Sequence, residues 1–293
     1  MYLVTGGSGF IGSHLVKRLR AMGEQVRVID LKPHNDFRVE IADIRSSSVR
    51  ELFRDCETVF HLAAQVDVQK SLMDPEMDFG VNAFGTLNVL EAARRYSKKF
   101  VYASSAAVYG EPVRTPINES HPTKPISPYG QSKLTGEKYA LLYRELYGLN
   151  SVCLRFFNVF GPGQSPVSPY SGVITKFAFR AAINKPLEVF GSGKQSRDFV
   201  FVEDVVDALL AAAGKKKAAG QVMNIGTGKT TTINSLASKV IKLKRKKLKI
   251  LHGPERVGDI KKSVASISQA RKLLGFKPKW SFDKGLAETL KYF

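Results

Sequence analysis

The chain has 293 residues, of which 43% are hydrophobic, so it can bury a sizeable core in one large domain or two modest ones. No apolar run approaches the roughly 20 residues that span a bilayer. Met1 leads directly into Tyr2-Leu3-Val4 without a basic leader and cleavage site. We therefore expect a cytoplasmic protein with no membrane partner. Cys56 and Cys153 are too few and too far apart for a disulfide framework or a metal site, and we predict no metal.

The charge balance is strongly basic, with 45 Lys and Arg against 26 Asp and Glu and a formal net charge of +19. Such a charge attracts acidic ligands such as nucleotides and phosphates by long-range steering. The basic residues are spread along the chain, apart from dense clusters at 215–217 and 239–249. In the second cluster the basic residues alternate with apolar residues, a pattern typical of a helix that passes into a strand and keeps one face in solvent. Neither zinc-finger spacing nor an aromatic RNA-binding signature is present, which argues against nucleic acid as a partner.

The first half of the chain alternates short apolar runs with amphipathic stretches, which predicts repeated β-α units. Strands are predicted at Tyr2–Thr5, Gln25–Asp30, Thr58–His61, Lys99–Ala103 and Ser151–Phe156. Helices are predicted near Phe10–Met22, Ser47–Phe53, Asp78–Tyr96 and Pro128–Tyr147. This order indicates an α/β fold with a doubly wound parallel sheet.

After Phe156 this alternation breaks down. Asn158 to Tyr170 is rich in Gly, Pro and Ser and predicts a loop. Helices are predicted near Gly172–Ile183, Val205–Ala213, Ile233–Leu243, Ser268–Leu274 and Leu286–Tyr292, and extended segments at Leu187–Phe190, Phe199–Val202 and Val222–Ile225. We expect a dinucleotide-binding domain of residues 1–157 and about 199–226. A smaller, interleaved α/β substrate domain would take about 158–198 and 227–293.

A glycine-rich loop joins the first predicted strand to the first helix, with Gly6, Gly9 and Gly12 in a G-x-x-G-x-x-G spacing. Glycines permit a tight turn and a close approach to a pyrophosphate, which then rests on the N–H groups at the helix start. The next predicted strand ends in Asp30, near the expected offset for the acid that binds the adenosine ribose. This combination predicts a Rossmann dinucleotide site. Asp30 would repel a 2′-phosphate and favours NAD over NADP, although Lys32 is close by in sequence.

A second motif lies at the start of the predicted helix Pro128–Tyr147. Ser127 is a favoured N-cap and Pro128 fits the first helical position. Tyr129 and Lys133 then lie one turn apart on the same face. An ammonium beside a phenol favours phenolate and lowers its pKa, which can make a general base near neutral pH. The alternative is an exposed Tyr and Lys on an amphipathic helix.

Several segments together resemble the extended short-chain dehydrogenase/reductases, and most of all the UDP-glucose (UDP-galactose) 4-epimerase family. The resemblance covers nearly the whole length. Its segments are the glycine loop, Ala42-Asp43-Ile44-Arg45, His61-Leu62-Ala63-Ala64-Gln65, Val81-Asn82-Ala83-Phe84-Gly85-Thr86, Ser104-Ser105-Ala106-Ala107-Val108-Tyr109-Gly110, Ser127 to Lys133, and Arg155-Phe156-Phe157-Asn158-Val159-Phe160-Gly161-Pro162.

The resemblance implies a cofactor site. Asp43 and Ile44 would flank the adenine, whereas Ala63, Ala64 and Gln65 would line the pyrophosphate and nicotinamide ribose. Asn82 would support the same region, and His61 is interpreted as structural. The predicted cofactor residues are Gly6, Gly9, Phe10, Ile11, Gly12, Asp30, Asp43, Ile44, Leu62, Ala63, Ala64, Gln65, Asn82, Tyr129, Lys133 and Phe156.

The resemblance also assigns the chemistry. Ser105 follows the strand Lys99–Ala103 at the carboxyl edge of the sheet and would hydrogen-bond the sugar 4-hydroxyl. Tyr129 would remove its proton, and Lys133 would hold the nicotinamide ribose and lower the pKa of the tyrosine. The implied reaction is inversion at C4 of a UDP-hexose through a 4-keto sugar.

Further positions point to the nucleotide part of the substrate. Arginine forks suit diphosphate oxygens, and the family places groups equivalent to Arg197 and Arg256 there. Ser263 falls where the family has a residue that limits the sugar's C2 substituent, and its small size predicts acceptance of N-acetylated UDP-sugars. The predicted substrate residues are Ser105, Asn158, Val189, Phe190, Arg197, Arg256, Asp259 and Ser263.

Other reactions begin with the same oxidation, namely those of UDP-glucuronate epimerases or decarboxylases and nucleotide-sugar 4,6-dehydratases. A dehydratase or decarboxylase would be expected to carry an acid just after the serine, where this chain has Ala106 and Ala107. A non-catalytic NAD sensor or a nucleic-acid-binding scaffold is disfavoured by the intact Ser105, Tyr129 and Lys133. The family commonly dimerises through two helices of the first domain, so the resemblance implies a homodimer. The helices near Asp78–Tyr96 and Pro128–Tyr147 are the candidates for its interface.

Overall fold

The computed structural model describes residues 1–166, 172–255 and 260–293. Its strands are β1 Tyr2–Thr5, β2 Val26–Asp30, β3 Glu40–Ile41, β4 Thr58–His61, β5 Lys99–Ser105, β6 Asn150–Phe156, β7 Asn158–Phe160, β8 Leu187–Phe190, β9 Ser196–Arg197, β10 Phe199–Phe201, β11 Val222–Ile225, β12 Thr231–Thr232 and β13 Ile250–Gly253. Its α-helices are α1 Phe10–Ala21, α2 Val68–Met73, α3 Pro75–Phe79, α4 Gly85–Tyr96, α5 Pro128–Tyr147, α6 Val173–Ala182, α7 Val202–Gly214, α8 Ile233–Lys244, α9 Ser268–Leu274 and α10 Phe282–Lys291. Short 3₁₀ helices form at Ser47–Phe53, Ala106–Tyr109 and Lys216–Ala218, and a π-helical turn at Gly80–Phe84.

Seven strands form one sheet in the order β11-β6-β5-β4-β1-β2-β3, and every neighbouring pair is parallel. The carboxyl ends of parallel strands meet at one edge, which is where doubly wound sheets bind ligands. The residues that end β1, β2, β4, β5 and β6 are Thr5, Asp30, His61, Ser105 and Phe156. The sheet therefore brings Asp30 and Ser105, which the sequence predicts to be functional, to the same edge.

Helices cover both faces of this sheet, as the sequence predicts. On one face, α1 and α7 bury apolar side chains such as Leu15, Leu19 and Leu209 in a core that includes Val4 of β1. On the other face, α4 and α5 bury a second group of side chains against the sheet, including Val89, Leu90, Ala140 and Tyr143. The doubly wound α/β fold is confirmed.

A third hydrophobic core lies outside the seven-stranded sheet. It contains buried side chains of α6, β8, β10, α8 and α10, among them Phe177, Leu187, Phe201, Leu236 and Leu286. Two-stranded sheets β10-β7, β12-β9 and β13-β8 accompany it. The domain bounds expected from the sequence remain a prediction.

Several boundaries differ from the sequence prediction. The predicted loop from Asn158 begins with strand β7, because this segment pairs with the distant β10. Residues 167–170 of that loop lie outside the described residues. Strand β5 runs on to Ser105 rather than ending at Ala103, because Ser104 and Ser105 pair with Arg155 and Phe156. Ser105 is thus the last residue of the strand rather than a residue beyond it.

The helix predicted near Asp78–Tyr96 is a composite. It begins at α3, whose N-cap Asp74 accepts the N–H of Met77, passes through the π-helical turn and continues as α4. Helix α2 was not predicted, and α10 begins at Phe282, where Ser281 accepts the N–H of Lys284. Within the ranges that the structure describes, no helix has the length and apolar character needed to traverse a bilayer.

Candidate active site

Helix α5 begins as the sequence predicts. The Ser127 Oγ accepts the N–H of Gly130 at 3.1 Å, and Pro128 occupies the first turn. The N–H of Tyr129 donates to Ser71 Oγ of helix α2, also at 3.1 Å. These contacts satisfy N–H groups that a helix start leaves without intrahelical partners. Tyr129 and Lys133 are both buried, so they are not the exposed pair of the alternative interpretation.

Ser105 and Tyr129 come together because β5 and α5 approach closely. Ser105 Oγ accepts the N–H of Ala107 at 3.2 Å and caps the 3₁₀ helix that follows the strand. Above this turn, a Cβ atom on Gly130 would lie only 2.6 Å from the carbonyl oxygen of Ala107. A glycine is therefore required at the contact between α5 and the turn. Ser105 lies close enough to the Tyr129 phenol to lower its pKa through side-chain hydrogen bonding.

The electrostatics of the Tyr129 phenol differ from the sequence-based expectation. Burial raises its pKa, the hydrogen bond with Ser105 lowers it, and the charge of Asp78 raises it. Lys133 is not among the groups that shift it, so the predicted lowering by the ammonium is not observed in this structure. The ammonium lies 4.7 Å from the centre of the Tyr102 ring, in a cation–π contact.

Lys133 lies in a low-dielectric environment. Burial lowers its pKa to about 8, and the electrostatic interaction with Asp78, the largest of the opposing effects, acts against this shift. An amine with this pKa gains or loses its charge close to neutral pH. Its protonation is therefore sensitive to the charged groups around it.

The glycine loop packs tightly between three segments. Gly6 has φ +73°, and a Cβ atom there would lie 2.5 Å from the backbone nitrogen of Ala63. A Cβ atom on Gly12 would lie 2.1 Å from the carbonyl oxygen of Gly6. Gly9 has no side chain to cap α1, so the N–H groups at the start of that helix are left to an anion. Phe10 and Ile11 turn inwards and pack against the third core.

Asp30 ends β2 beside this loop. Its two oxygens accept the backbone N–H groups of Ser8 at 3.0 Å and Lys32 at 3.2 Å. A cleft of about 430 Å³ opens next to it, lined among others by Ser8, Gly9 and Pro33. The helix start suits a pyrophosphate and the carboxylate suits ribose hydroxyls, so these residues fit a dinucleotide.

The two residues predicted to flank the adenine lie after β3. Asp43 is bonded to the Arg45 guanidinium, at 2.9 Å from Nε and 2.6 Å from Nη2, and this hydrogen bonding lowers its pKa. Ile44 is buried, and its carbonyl accepts the Asn88 side-chain amide at 2.7 Å.

The segment after β4 is held on both sides. The backbone N–H groups of Leu62 and Ala63 donate to the carbonyl and hydroxyl oxygens of Thr5. Asn82 accepts the N–H of Gln65 at 3.0 Å and donates to its carbonyl at 2.8 Å. This clamp comes from the π-helical turn, a feature frequent at functional sites. Ala64 lies between the two anchored ends.

Asp78 is a residue that the sequence analysis missed. It is fully buried and accepts hydrogen bonds from Gln65 Nε2 at 3.0 Å, Asn82 Nδ2 at 2.9 Å and Ser132 Oγ at 2.6 Å. It therefore links the segment predicted to bind the nicotinamide ribose to the helix of Tyr129 and Lys133. The available signal was its position four residues before Asn82, on the same helical face.

Two further predicted positions lie at the ends of strands. Phe156 ends β6 opposite Ser105. His61 ends β4 and is fully buried between Thr5 Oγ1 at 2.7 Å and Thr86 Oγ1 at 3.0 Å. Burial lowers the pKa of His61 to about 3, with a smaller contribution from Lys133. His61 is neutral and has a structural role, as the sequence suggests.

Three of the predicted substrate residues, Asn158, Arg197 and Ser263, lie around β9. The backbone and side-chain N–H groups of Asn158 both donate to the carbonyl of Asp198, at 3.1 and 3.3 Å. Arg197 follows Ser196 in β9, and the N–H of Ser263 donates to the Ser196 carbonyl at 3.1 Å. Ser263 is thus positioned next to the strand that carries Arg197.

Of the remaining predicted substrate positions, some lie in strand β8 and others lie outside the described residues. Val189 is buried in β8, and Phe190 at its end lies opposite Gly253 of β13. Arg256 and Asp259 lie outside the described residues. The buried Asp198, which was not predicted, accepts N–H groups of the turn after β11 and of the segment that carries Ser263, from Thr227, Gly228 and Ala265.

The model of the NAD dependent epimerase/dehydratase family matches residues 2–226. The chain belongs to this family. It is accordingly an enzyme of the extended short-chain dehydrogenase/reductase type with NAD as cofactor, which confirms the prediction from the glycine loop and Asp30.

Relatives over the full length extend this result. The chain is 36% identical to a UDP-glucose 4-epimerase of Mycolicibacterium smegmatis, with 99% of this chain and 97% of that protein covered. The structure of a UDP-glucose 4-epimerase from Thermotoga maritima, solved with UDP-glucose, superimposes with a TM-score of 0.96 at 37% identity and covers 100% and 98% of the two chains.

Other relatives act on different sugars. A UDP-N-acetylglucosamine 4-epimerase from Methanobrevibacter ruminantium, solved with UDP-N-acetylmuramic acid, superimposes with a TM-score of 0.93 at 36% identity and covers 100% and 97% of the chains. A UDP-N-acetyl-alpha-D-glucosaminuronate decarboxylase of Bacillus cytotoxicus is 33% identical, with 99% and 97% covered. Similarity alone therefore leaves the sugar open.

Proposed function

We propose that this protein is a UDP-hexose 4-epimerase that interconverts UDP-glucose and UDP-galactose and also accepts their N-acetylated forms. The observation that carries the proposal is the pairing of buried Tyr129 with Ser105 at the carboxyl edge of the sheet. The glycine loop and Asp30 lie at this same edge, so the proposed general base and the proposed dinucleotide site share one edge of the sheet.

In this proposal Ser105 and Tyr129 act on the C4 hydroxyl of the sugar. Ser105 would hydrogen-bond the hydroxyl oxygen, and Tyr129 in its phenolate form would take the proton as the 4-keto sugar forms. The positive charge of the oxidised nicotinamide would favour this phenolate over the neutral phenol. NAD, when bound, supplies the acceptor and later the donor of the C4 hydride. Tyr129 returns the proton after the keto sugar has turned its other face, which gives the inverted alcohol. Lys133 contributes positive charge and a donor for the nicotinamide ribose.

We assign the nucleotide part of the substrate to the region around β9. Arg197 would pair with the diphosphate, and Asn158 would face the same group. Val189 and Phe190 would hold the uracil. On sequence grounds, Arg256 and Asp259 are also assigned to substrate binding. The support from the structure is that Asn158 donates its backbone and side-chain N–H groups to the carbonyl of Asp198, the residue that follows Arg197.

Ser263 carries the proposed tolerance for N-acetyl groups. Its backbone N–H bonds to the carbonyl of Ser196, the residue before Arg197, so Ser263 lies beside the strand assigned to the diphosphate. A serine leaves more space there than a bulky residue. One relative is named a UDP-N-acetylglucosamine 4-epimerase, which supports the proposal that the C2 substituent of the sugar varies within the family.

A decarboxylase or dehydratase is the second candidate, because one relative is a decarboxylase. The segment after Ser105 disfavours it. Ala106 and Ala107 form the 3₁₀ turn next to the Tyr129 helix, where elimination chemistry would need an acid. A UDP-glucuronate epimerase uses the same oxidation and differs from the proposed enzyme only in the sugar that it accepts.

We further propose that the protein is a homodimer. Large apolar side chains are exposed on and beside the composite helix and α5, including Phe79, Phe84, Leu142, Leu146 and Tyr147. Pairing of these helices with a second copy would cover them, as the sequence analysis predicts. Light scattering of the wild type and of Leu146→Glu tests this, and a monomeric wild type would contradict it.

The deciding experiment is a turnover assay of the NAD-bound enzyme with UDP-glucose, UDP-galactose, UDP-glucuronate and the N-acetylated hexoses. Chromatography and mass spectrometry identify the products. Epimerisation leaves the mass unchanged, whereas decarboxylation or dehydration lowers it. The expected result is interconversion of the neutral hexoses, which should be strongly reduced in Tyr129→Phe. Loss of mass, or no conversion of any hexose, would refute the proposal.

A further inference from the structure

We propose that Asp78 is a positioning residue that fixes the Tyr129 helix against the Gln65 segment and keeps the Lys133 ammonium charged. This inference rests on the proposed function for the role of Lys133 towards the nicotinamide ribose. It goes beyond that function by assigning a residue that contacts neither sugar nor cofactor.

The geometry of Asp78 supports the first part. It lies in α3, outside both segments that it joins, and is fully buried. One carboxylate oxygen accepts from Gln65 and Asn82, and the other accepts from Ser132. Ser132 immediately precedes Lys133 and follows Tyr129 by three residues. A shift of Asp78 would therefore move the proposed base and the cofactor segment relative to each other.

The charge of Asp78 supports the second part. The three groups that bond to it are neutral, so its negative charge is not cancelled by a direct ion pair with them. An uncompensated ammonium in a buried site favours loss of its proton. Asp78 is the main group that opposes this effect at Lys133.

The other groups around Lys133 come from four elements. His61 of β4 is held neutral between two threonines, and the Tyr102 ring of β5 contributes a cation–π contact. Cys153 of β6 is a buried thiol, and Tyr129 lies one turn away on α5. Glu137, one turn after Lys133 on α5, is also a buried carboxylate, but it is paired with the Arg155 guanidinium. Asp78, whose three bonded partners are neutral, supplies the uncancelled negative charge.

The variant Asp78→Asn separates charge from shape. Its amide oxygen can still accept from Gln65 and Asn82, and its amide nitrogen can donate to Ser132 Oγ. Ser132 can then donate to the Tyr129 carbonyl, 3.1 Å away. Asp204→Asn is the matched control. Asp204 of α7 is also a buried carboxylate, but it accepts the backbone N–H groups of Lys279 and Trp280 and bonds to none of the residues around Lys133 named above.

The readout is the titration of Lys133 in the NAD-bound protein, followed by lysine-selective ¹³C NMR. The resonance is assigned by its absence in Lys133→Arg. We expect Asp78→Asn to lower the titration midpoint by about one pH unit, a tenfold loss of proton affinity. Asp204→Asn should leave the midpoint unchanged. An unchanged midpoint in folded Asp78→Asn would overturn the charge role.

Ser132→Ala tests the positioning role and keeps the Asp78 charge. We expect its titration midpoint to match the wild type, while kcat falls roughly tenfold and the KM for the UDP-sugar stays the same. A wild-type kcat would overturn the positioning role, even if Asp78→Asn does not fold. Because the titration needs no sugar, failure of the proposed reaction would not be mistaken for failure of this inference.

Discussion

Replacing Gly130 by alanine should disrupt the contact that brings Tyr129 to Ser105. The added Cβ would lie 2.6 Å from the Ala107 carbonyl oxygen, whereas Cβ atoms essentially never come within 3.0 Å of such an atom. Both partners belong to backbone elements, so α5 or the 3₁₀ turn must move by at least about 0.4 Å. A displacement of about 1 Å at a reacting group can cost about 10²-fold in rate, so we expect kcat to fall roughly tenfold.

The assay is steady-state epimerisation together with thermal unfolding and NAD content. Gly214→Ala is the matched control, because a Cβ atom at Gly214 meets no heavy atom within 4 Å. We expect the control to keep wild-type kcat. Gly130→Ala should remain folded and retain NAD, since the glycine loop is untouched. A folded Gly130→Ala protein with kcat within about twofold of the wild type would refute the close-approach argument.

Three other perturbations address separate parts of the site. Tyr129→Phe should lower kcat by about 10²- to 10⁴-fold while NAD remains bound, and near wild-type turnover would disprove the base assignment. Ser263→Tyr should reduce activity on N-acetylated UDP-sugars relative to the unsubstituted pair, and an unchanged ratio in competition assays would argue against the C2 contact. His61 should make folding acid-sensitive: its folded pKa of about 3 lies below the ordinary 6.5, so its stabilising effect is complete above pH 6.5 and is lost towards pH 3. Urea unfolding across this range should show a weaker pH dependence in His61→Gln than in the wild type.

Local sequence signals explain the elements that were predicted well. Strands β1 and β4 and helix α5 have the predicted bounds, because short apolar runs and a Ser-Pro start are visible in the sequence itself. The alternating order of strands and helices predicts a parallel sheet. In such a sheet the strand ends that carry Asp30 and Ser105 lie at one edge. The cofactor prediction succeeded for the same reason.

Contacts between distant segments explain what was missed. Helix α2 has six residues and only one buried side chain, Ser71, so it lacks a periodic apolar pattern. It is held by the bond from Tyr129 N–H to Ser71 Oγ, which no local pattern reveals. Strand β7 likewise forms only because β10, about forty residues later, pairs with it. Asp78 was overlooked because its three partners come from three different segments.

The pairing of a tyrosine with a lysine one turn later does not by itself make a base. In this fold burial works against both charged forms, since it raises the pKa of Tyr129 and lowers that of Lys133. Ser105 offsets the first effect through a hydrogen bond, and Asp78 offsets the second through its charge. Asp78 also raises the pKa of Tyr129, so its position involves a compromise. With both oxygens bonded to neutral donors, Asp78 acts on Lys133 through its charge rather than through a hydrogen bond.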